Sequence, residues 1–96
     1  MLKFSTYKTT GGLNHYTENK DFELEFIIIK DAETPFIEKI WELREYQYGV
    51  LENCRYFEKL SEAKAWANHC NNILIELYPD PKEREFFYKE PSWCQF

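Results

Sequence analysis

Four side chains in this sequence are of the types that hold zinc: Cys54, His69, Cys70 and Cys94. Structural zinc sites space such ligands as CxxC or HxxxH knuckles, so that neighbouring donors converge. No such knuckle occurs here, and His69 and Cys70, adjacent on a helix, project to different sides of it. No metal or cofactor is therefore expected. Nucleophilic chemistry fares no better. His15 and His69 are the only histidines that can serve a thiol as base, and no glycine-rich elbow or oxyanion donor accompanies either. Gly11-Gly12 is neither followed by Lys-Ser/Thr nor set in a GxGxxG frame, so it is no phosphate loop. The carboxylates Glu23 and Glu25, with Glu38 and Glu42, are spaced to share one face of a sheet. Acid–base work needs a carboxylate whose pKa is shifted by partial burial in a cleft. A small sheet under one helix provides little cleft, and these groups read as a solvated face partnered by Arg44 or Lys39. The expectation is a protein that is not an enzyme.

The elements that must position these groups follow from periodicity. Residues 56–78, YFEKLSEAKAWANHCNNILIELY, carry Ala63, Trp66, Ala67, Cys70, Ile73, Leu74 and Leu77 at helical spacing, which makes one apolar stripe. Ser61 is the expected N-cap, and Glu62, Lys64, Asn68, Asn71, Asn72 and Glu76 fall elsewhere around the cylinder. Pro79 stops this helix. Asp80, Pro81 and Glu83 then form a second start signal, for a short helix to about Lys89 or, alternatively, a strand from Phe86 to Lys89. Beyond Pro91 the chain ends in Ser-Trp-Cys-Gln-Phe.

A helix apolar on one side needs a partner surface, and the residues before it read as sheet. Strands are expected over residues 2–9, 22–30, 36–48 and 50–57, while Leu13 to Lys20 is polar and ambiguous between strand and loop. Along the second of these, Phe22, Leu24, Phe26 and Ile28 face one way; Glu23, Glu25, Ile27 and Ile29 face the other. Pairing back across the turn at Asp31 to Pro35 brings Trp41 and Leu43 beside Leu24 and Phe22. Glu38, Ile40, Glu42, Arg44 and Tyr46 then join Glu23, Glu25 and Ile27 on the opposite side. A slip of one residue would invert these faces. Tyr48-Gly49 marks the tight turn into the last strand. The expected fold is a single α+β domain over residues 1–96. An antiparallel three- to four-stranded meander carries one main amphipathic helix on one face, followed by a short C-terminal helix or aromatic tail.

Composition narrows the function. Ninety-six residues support one core. Aromatic residues make up 19% of the chain, too many for so small a core to hide, and large exposed aromatics point to an interface. The net charge of −5 is spread evenly, with six basic and nine acidic groups in residues 1–48 and six and eight in residues 49–96. Such a surface repels phosphate backbone and suits a basic protein partner. Three cysteines, an odd number, and Lys3, Ser5 and Lys8 interrupting any apolar run near the start point to a reducing, cytoplasmic setting. Phe26 to Ile29, the longest aliphatic run, is too short to cross a bilayer.

From Trp41 to Trp66, about a quarter of the chain, the order strand–turn–strand–helix with the junction F-x-x-L-S-E-A-x-x-W (Phe57 to Trp66) resembles the three-stranded arm-type DNA-binding domains of phage integrases. That resemblance implies a sheet-based nucleic-acid binder. The chain departs from it in charge: those domains present basic strands to DNA, whereas here Glu38, Glu42, Glu45 and Glu52 stand against Lys39, Arg44 and Arg55. Composition and fold class are also similar to those of small acidic, aromatic-rich phage inhibitors of host defence nucleases.

The expected role is that of a small acidic regulator or inhibitor that occupies a surface on another protein. The sheet face away from the helix carries Glu23, Glu25, Ile27, Glu38, Ile40, Glu42, Arg44 and Tyr46, aliphatic and aromatic groups ringed by charge as in an interface core with its rim. The tail, with Phe86, Phe87, Tyr88, Trp93 and Phe96, is the second candidate surface, the favoured alternative being that it wraps back to close the core or cover that same sheet face. The partner expected is a protein with a basic or aromatic-accepting surface; an uncovered sheet edge also offers a route to a homodimer.

Overall fold

The computed structural model of the chain describes residues 2–9, 12–30 and 40–83. Five strands form one antiparallel sheet in simple sequence order: β1 (Ser5–Thr9), β2 (Gly12–Asn19), β3 (Leu24–Lys30), β4 (Trp41–Gln47) and β5 (Val50–Phe57). One long helix among the described residues, α1 (Leu60–Leu77), follows and packs on one face against β3, β4 and β5. The sheet thus has one strand more than the three or four expected. The extra strand is β2, whose register sets His15 against Ile28, Tyr16 against Ile27 and Thr17 against Phe26. Its polar sequence hides a period of two. His15 and Thr17 are buried under the helix side, whereas Tyr16 is half-buried and Glu18 exposed on the other.

β3 is the spine of the core. Leu24, Phe26 and Ile28 are fully buried, and Leu43 of β4, directly opposite Ile28, is buried with them. Each such side chain contributes about 1.5–3 kcal/mol by leaving water. The register, which the sequence leaves open, sets Trp41 against Lys30, Arg44 against Ile27 and Tyr46 against Glu25, and it keeps Leu43 on the side of Leu24 as expected. The hairpin from β4 to β5 turns on Tyr48 (φ 51°) and Gly49 (φ 79°), both left-handed, as a two-residue turn matched to strand twist requires. A bulge at Glu45/Tyr46 follows: Glu45 pairs with Asn53 but Tyr46 with Leu51, so Glu52 is the extra residue.

The helix differs from expectation in three places. It starts at Leu60 with Lys59 as N-cap, so Ser61 lies inside the first turn and caps nothing. Its buried stripe is narrow: Ala63, Ala67 and Asn71 are buried, with Trp66, Cys70 and Leu74 packed at the margin. Small alanines there let the helix sit close on the bulky β3 side chains. Ile73 and Leu77, expected in the stripe, are 40% and 64% exposed. Asn71, expected outside the stripe, lies in it, because its Oδ1 accepts a hydrogen bond from Asn19 Nδ2 of β2 at 2.8 Å. That bond offsets the cost of burying an amide. After Pro79, the Asp80 carboxylate accepts the N–H of Lys82 at 3.0 Å, the expected cap; how far that helical turn continues lies outside the described residues. The described helices include none long and apolar enough to cross a membrane.

Candidate functional site

The sheet face away from α1 is built from cross-strand rows, since residues paired across a ladder share a face. One row runs Ser5, Tyr16, Ile27, Arg44 and Cys54 from β1 to β5. The next runs Glu18, Glu25, Tyr46 and Leu51, and a third Ile29, Glu42 and Tyr56. Five of the residues expected on this face, Glu25, Ile27, Glu42, Arg44 and Tyr46, are therefore brought together. Glu23 is not on the strand: it ends a 3-10 turn (Lys20–Phe22) at φ 48°, and its carbonyl accepts the N–H of Tyr48 at 3.0 Å. Ile40 is half-buried just before β4 begins. Glu38, Trp93 and Phe96 lie outside the described residues.

Two acidic groupings dominate the face. At one end, Glu18, Glu23 and Glu25 line a shallow cleft of about 330 Å³ together with Lys20 and Gly49. Glu18 and Glu25 are directly opposite, and the Tyr16 hydroxyl donates to Glu18 Oε2 at 3.0 Å. Burial, that hydrogen bond and the Glu25 charge push the Tyr16 phenol up to about 12. Lys20 Nζ stands 3.7 Å from Glu18 Oε1, an exposed pair worth little by itself.

The second grouping corrects the expectation of a solvated row. Glu42 is only 5% exposed although it lies on the far face. Its Oε1 accepts from Arg44 Nε at 2.7 Å and from the Cys54 thiol at 3.2 Å. The carboxylate holds the Arg44 guanidinium protonated to higher pH than usual. Burial, followed by the Glu42 carboxylate, pushes the Cys54 thiol up. A thiol kept neutral is a poor nucleophile.

The described thiols and imidazoles do not converge; Cys94 lies outside the described residues. Cys54 lies in the far-face row, whereas Cys70 sits under α1 on the other side of the sheet, pushed up to about 11 by burial and by Glu45. His69 is exposed beside the Trp66 ring, with centroids 5.5 Å apart. His15 is buried against Trp41. Among the described residues, no group of three or more His, Cys, Asp or Glu side chains is placed to hold a metal ion. Ser5, Tyr16, Glu18, Leu51, Cys54 and Tyr56 are far-face residues that sequence reasoning missed. The alternation of Tyr16 and Glu18 with His15 and Thr17 was the available signal for Tyr16 and Glu18.

No protein-family model, curated protein or solved structure matches this chain.

Proposed function

We propose that this chain is a small acidic, non-enzymatic protein that works by binding another protein, as a regulator or inhibitor, through the sheet face away from α1. The observation that carries this reading is the direct opposition of Glu18 and Glu25, with Glu23 in the same cleft. Like charges directly across a ladder destabilise a sheet, and a cation supplied by a partner relieves that cost. Ile27 and Tyr46 adjoin the cleft and give apolar contact area next to the charge. The occupant that fits is a protein surface presenting Arg or Lys beside an apolar or aromatic group.

Nucleic acid suits the same face poorly. Tyr16, Tyr46 and Tyr56 are ring platforms, but Glu18, Glu25 and Glu42 stand among them against Arg44, and a phosphate backbone meets net repulsion.

Capture from native lysate with the tagged chain tests the reading when run in parallel with Glu25→Lys/Tyr46→Ala. The expected result is a protein retained by the parent chain, lost from the variant, and released by salt. Equal capture by both, or salt-sensitive retention on single-stranded nucleic acid that Tyr46→Ala weakens, overturns it.

A further inference from the structure

β1 and β2 separate at one end, and a cavity lies in the gap. Their ladder stops at Ser5 and Tyr16, whereas β2 continues through Thr17, Glu18 and Asn19. The chain before Ser5 leaves the sheet for α1. There the Leu2 N–H donates to Asn68 Oδ1 at 2.9 Å, and the Lys3 carbonyl accepts from Thr17 Oγ1 at 2.6 Å. The cavity so formed has a volume of about 540 Å³, the size of a small-molecule site, with Leu2 and Ile75 as apolar walls. We propose that it binds a mononucleotide, with Asn19 and Asn71 reading the base, Glu18 the ribose, and Lys3 and Lys20 the phosphate.

Asn71 carries the argument. It is only 4% exposed, yet it lines the cavity. Its Oδ1 is taken by Asn19 Nδ2. That bond leaves an amide nitrogen on Asn71 and a carbonyl oxygen on Asn19, which also lines the cavity, with no further hydrogen bond among the described residues. One donor and one acceptor are what a nucleobase edge pairs with. Alternate residues of β2 also turn their backbone N–H and C=O toward β1, which has already ended here. The Tyr16 ring lines the same cavity, its hydroxyl held by Glu18, and offers a flat surface to a base. The Glu18 carboxylate is the group that accepts from ribose hydroxyls. Lys3 and Lys20, both exposed, set two cations against that one carboxylate in a chain of net charge −5. A lone phosphate is attracted here, whereas a phosphate backbone on the far face is repelled. The cavity shares Glu18 and Lys20 with the acidic cleft, but Asn19 and Asn71 lie on its helix side, so this site does not depend on the docking reading above.

Nuclear magnetic resonance titration of the isotope-labelled chain with adenosine, cytidine, guanosine and uridine monophosphates tests the proposal, with inorganic phosphate as the control. At least one nucleotide is expected to bind with a dissociation constant of about 0.1 mM or tighter and to shift the signals of Thr17, Asn19 and Asn71. Lys3→Glu reverses an exposed cation while keeping the backbone carbonyl that Thr17 needs, and is expected to weaken binding about tenfold. Asn71→Asp keeps the acceptor for Asn19, removes the donor and is expected to abolish binding. Circular dichroism checks that each variant is folded; if Asn71→Asp is not, Lys3→Glu decides alone. No shift with any nucleotide at millimolar concentration, the same shifts from inorganic phosphate, or parental affinity in Lys3→Glu overturns the proposal.

Discussion

Glu18 and Glu25 stand directly opposite one another on β2 and β3, on the side of the sheet that α1 does not cover, with the Tyr16 hydroxyl bonded to the first of them. Folding brings the two negative charges together, and the sheet forms against that cost. The pairing has separate consequences for stability and for binding.

Glu25→Gln is expected to stabilise the isolated chain by about 0.5 kcal/mol, because it removes a like-charge pair while leaving the β-ladder intact. The same change lowers the Tyr16 pKa from about 12, since the Glu25 charge helps to raise it. A phenol whose pKa is raised by folding contributes stability that is present below its ordinary value of about 10 and lost as pH rises toward 12. Urea titration and ultraviolet titration of tyrosine check both effects. A loss of stability in Glu25→Gln would mean that the carboxylate serves the fold instead of a partner.

Arg44 and Glu42 behave in the opposite sense. The Glu42 side chain is 6% exposed and that of Arg44 40%, so the carboxylate depends on its partner. Arg44→Met leaves a buried charge with less compensation and is expected to cost about 2–3 kcal/mol. Glu42→Gln in the Arg44→Met background is expected to recover part of that loss. A double-mutant cycle read by chemical denaturation reports the coupling, and additive single effects would contradict it.

His15 gives stability a dependence on acid. Its side chain is buried beside Trp41, with ring centroids 5.9 Å apart, and its Nδ1 has no hydrogen-bond partner. Burial and the Lys64 charge lower its pKa below 6.5. As pH falls through that value, the unfolded chain takes up the proton first. Stability present above about pH 6.5 is therefore lost as pH falls toward the folded-state pKa. Denaturation midpoints at about pH 7 and about pH 5 are expected to differ more for the parent chain than for His15→Leu. Equal differences would contradict the assignment.

The cysteines are expected to label slowly and in a fixed order. In a Cys94→Ser background, an aromatic disulfide reagent at mildly alkaline pH modifies the exposed Cys54 first. Cys70, under α1 with its thiol raised to about 11, reacts only as the helix opens. Native labelling of Cys70 as fast as that of a free peptide thiol would contradict the placement.

Much of the fold is legible in the residues themselves. The alternation of Leu24, Phe26 and Ile28 with Glu25 and Ile27 fixes both faces of β3. Pairing that keeps Trp41 and Leu43 on the side of Leu24 and Phe22 gives the face assignment found, but a slip by two residues keeps the same faces, so the register itself comes from the structure. β2 escapes because its inward residues, His15 and Thr17, are polar. Thr17 becomes acceptable in the core through its own hydrogen bond to the Lys3 carbonyl at 2.6 Å, a tertiary contact no local pattern announces. Asn71 escapes for the same reason, since its partner, Asn19, lies on a distant strand. Glu42 reads as solvated because its burial depends on Arg44 and Cys54, brought alongside by strand pairing and chain reversal. The acidic cleft is half visible in the sequence: Glu23 and Glu25 stand out there, whereas Glu18 joins them only through the pairing of β2 with β3.

The docking claim is tested most directly by photo-crosslinking in the cell of origin, with a benzophenone amino acid placed at Tyr46 on the far face or at Glu62 on α1. The far-face position is expected to yield a discrete adduct with one protein, lost when Glu25→Lys is added, and the helix position is expected to yield none. An adduct formed from Glu62 but not from Tyr46, or no adduct from either, would contradict a binding surface on this face of the sheet.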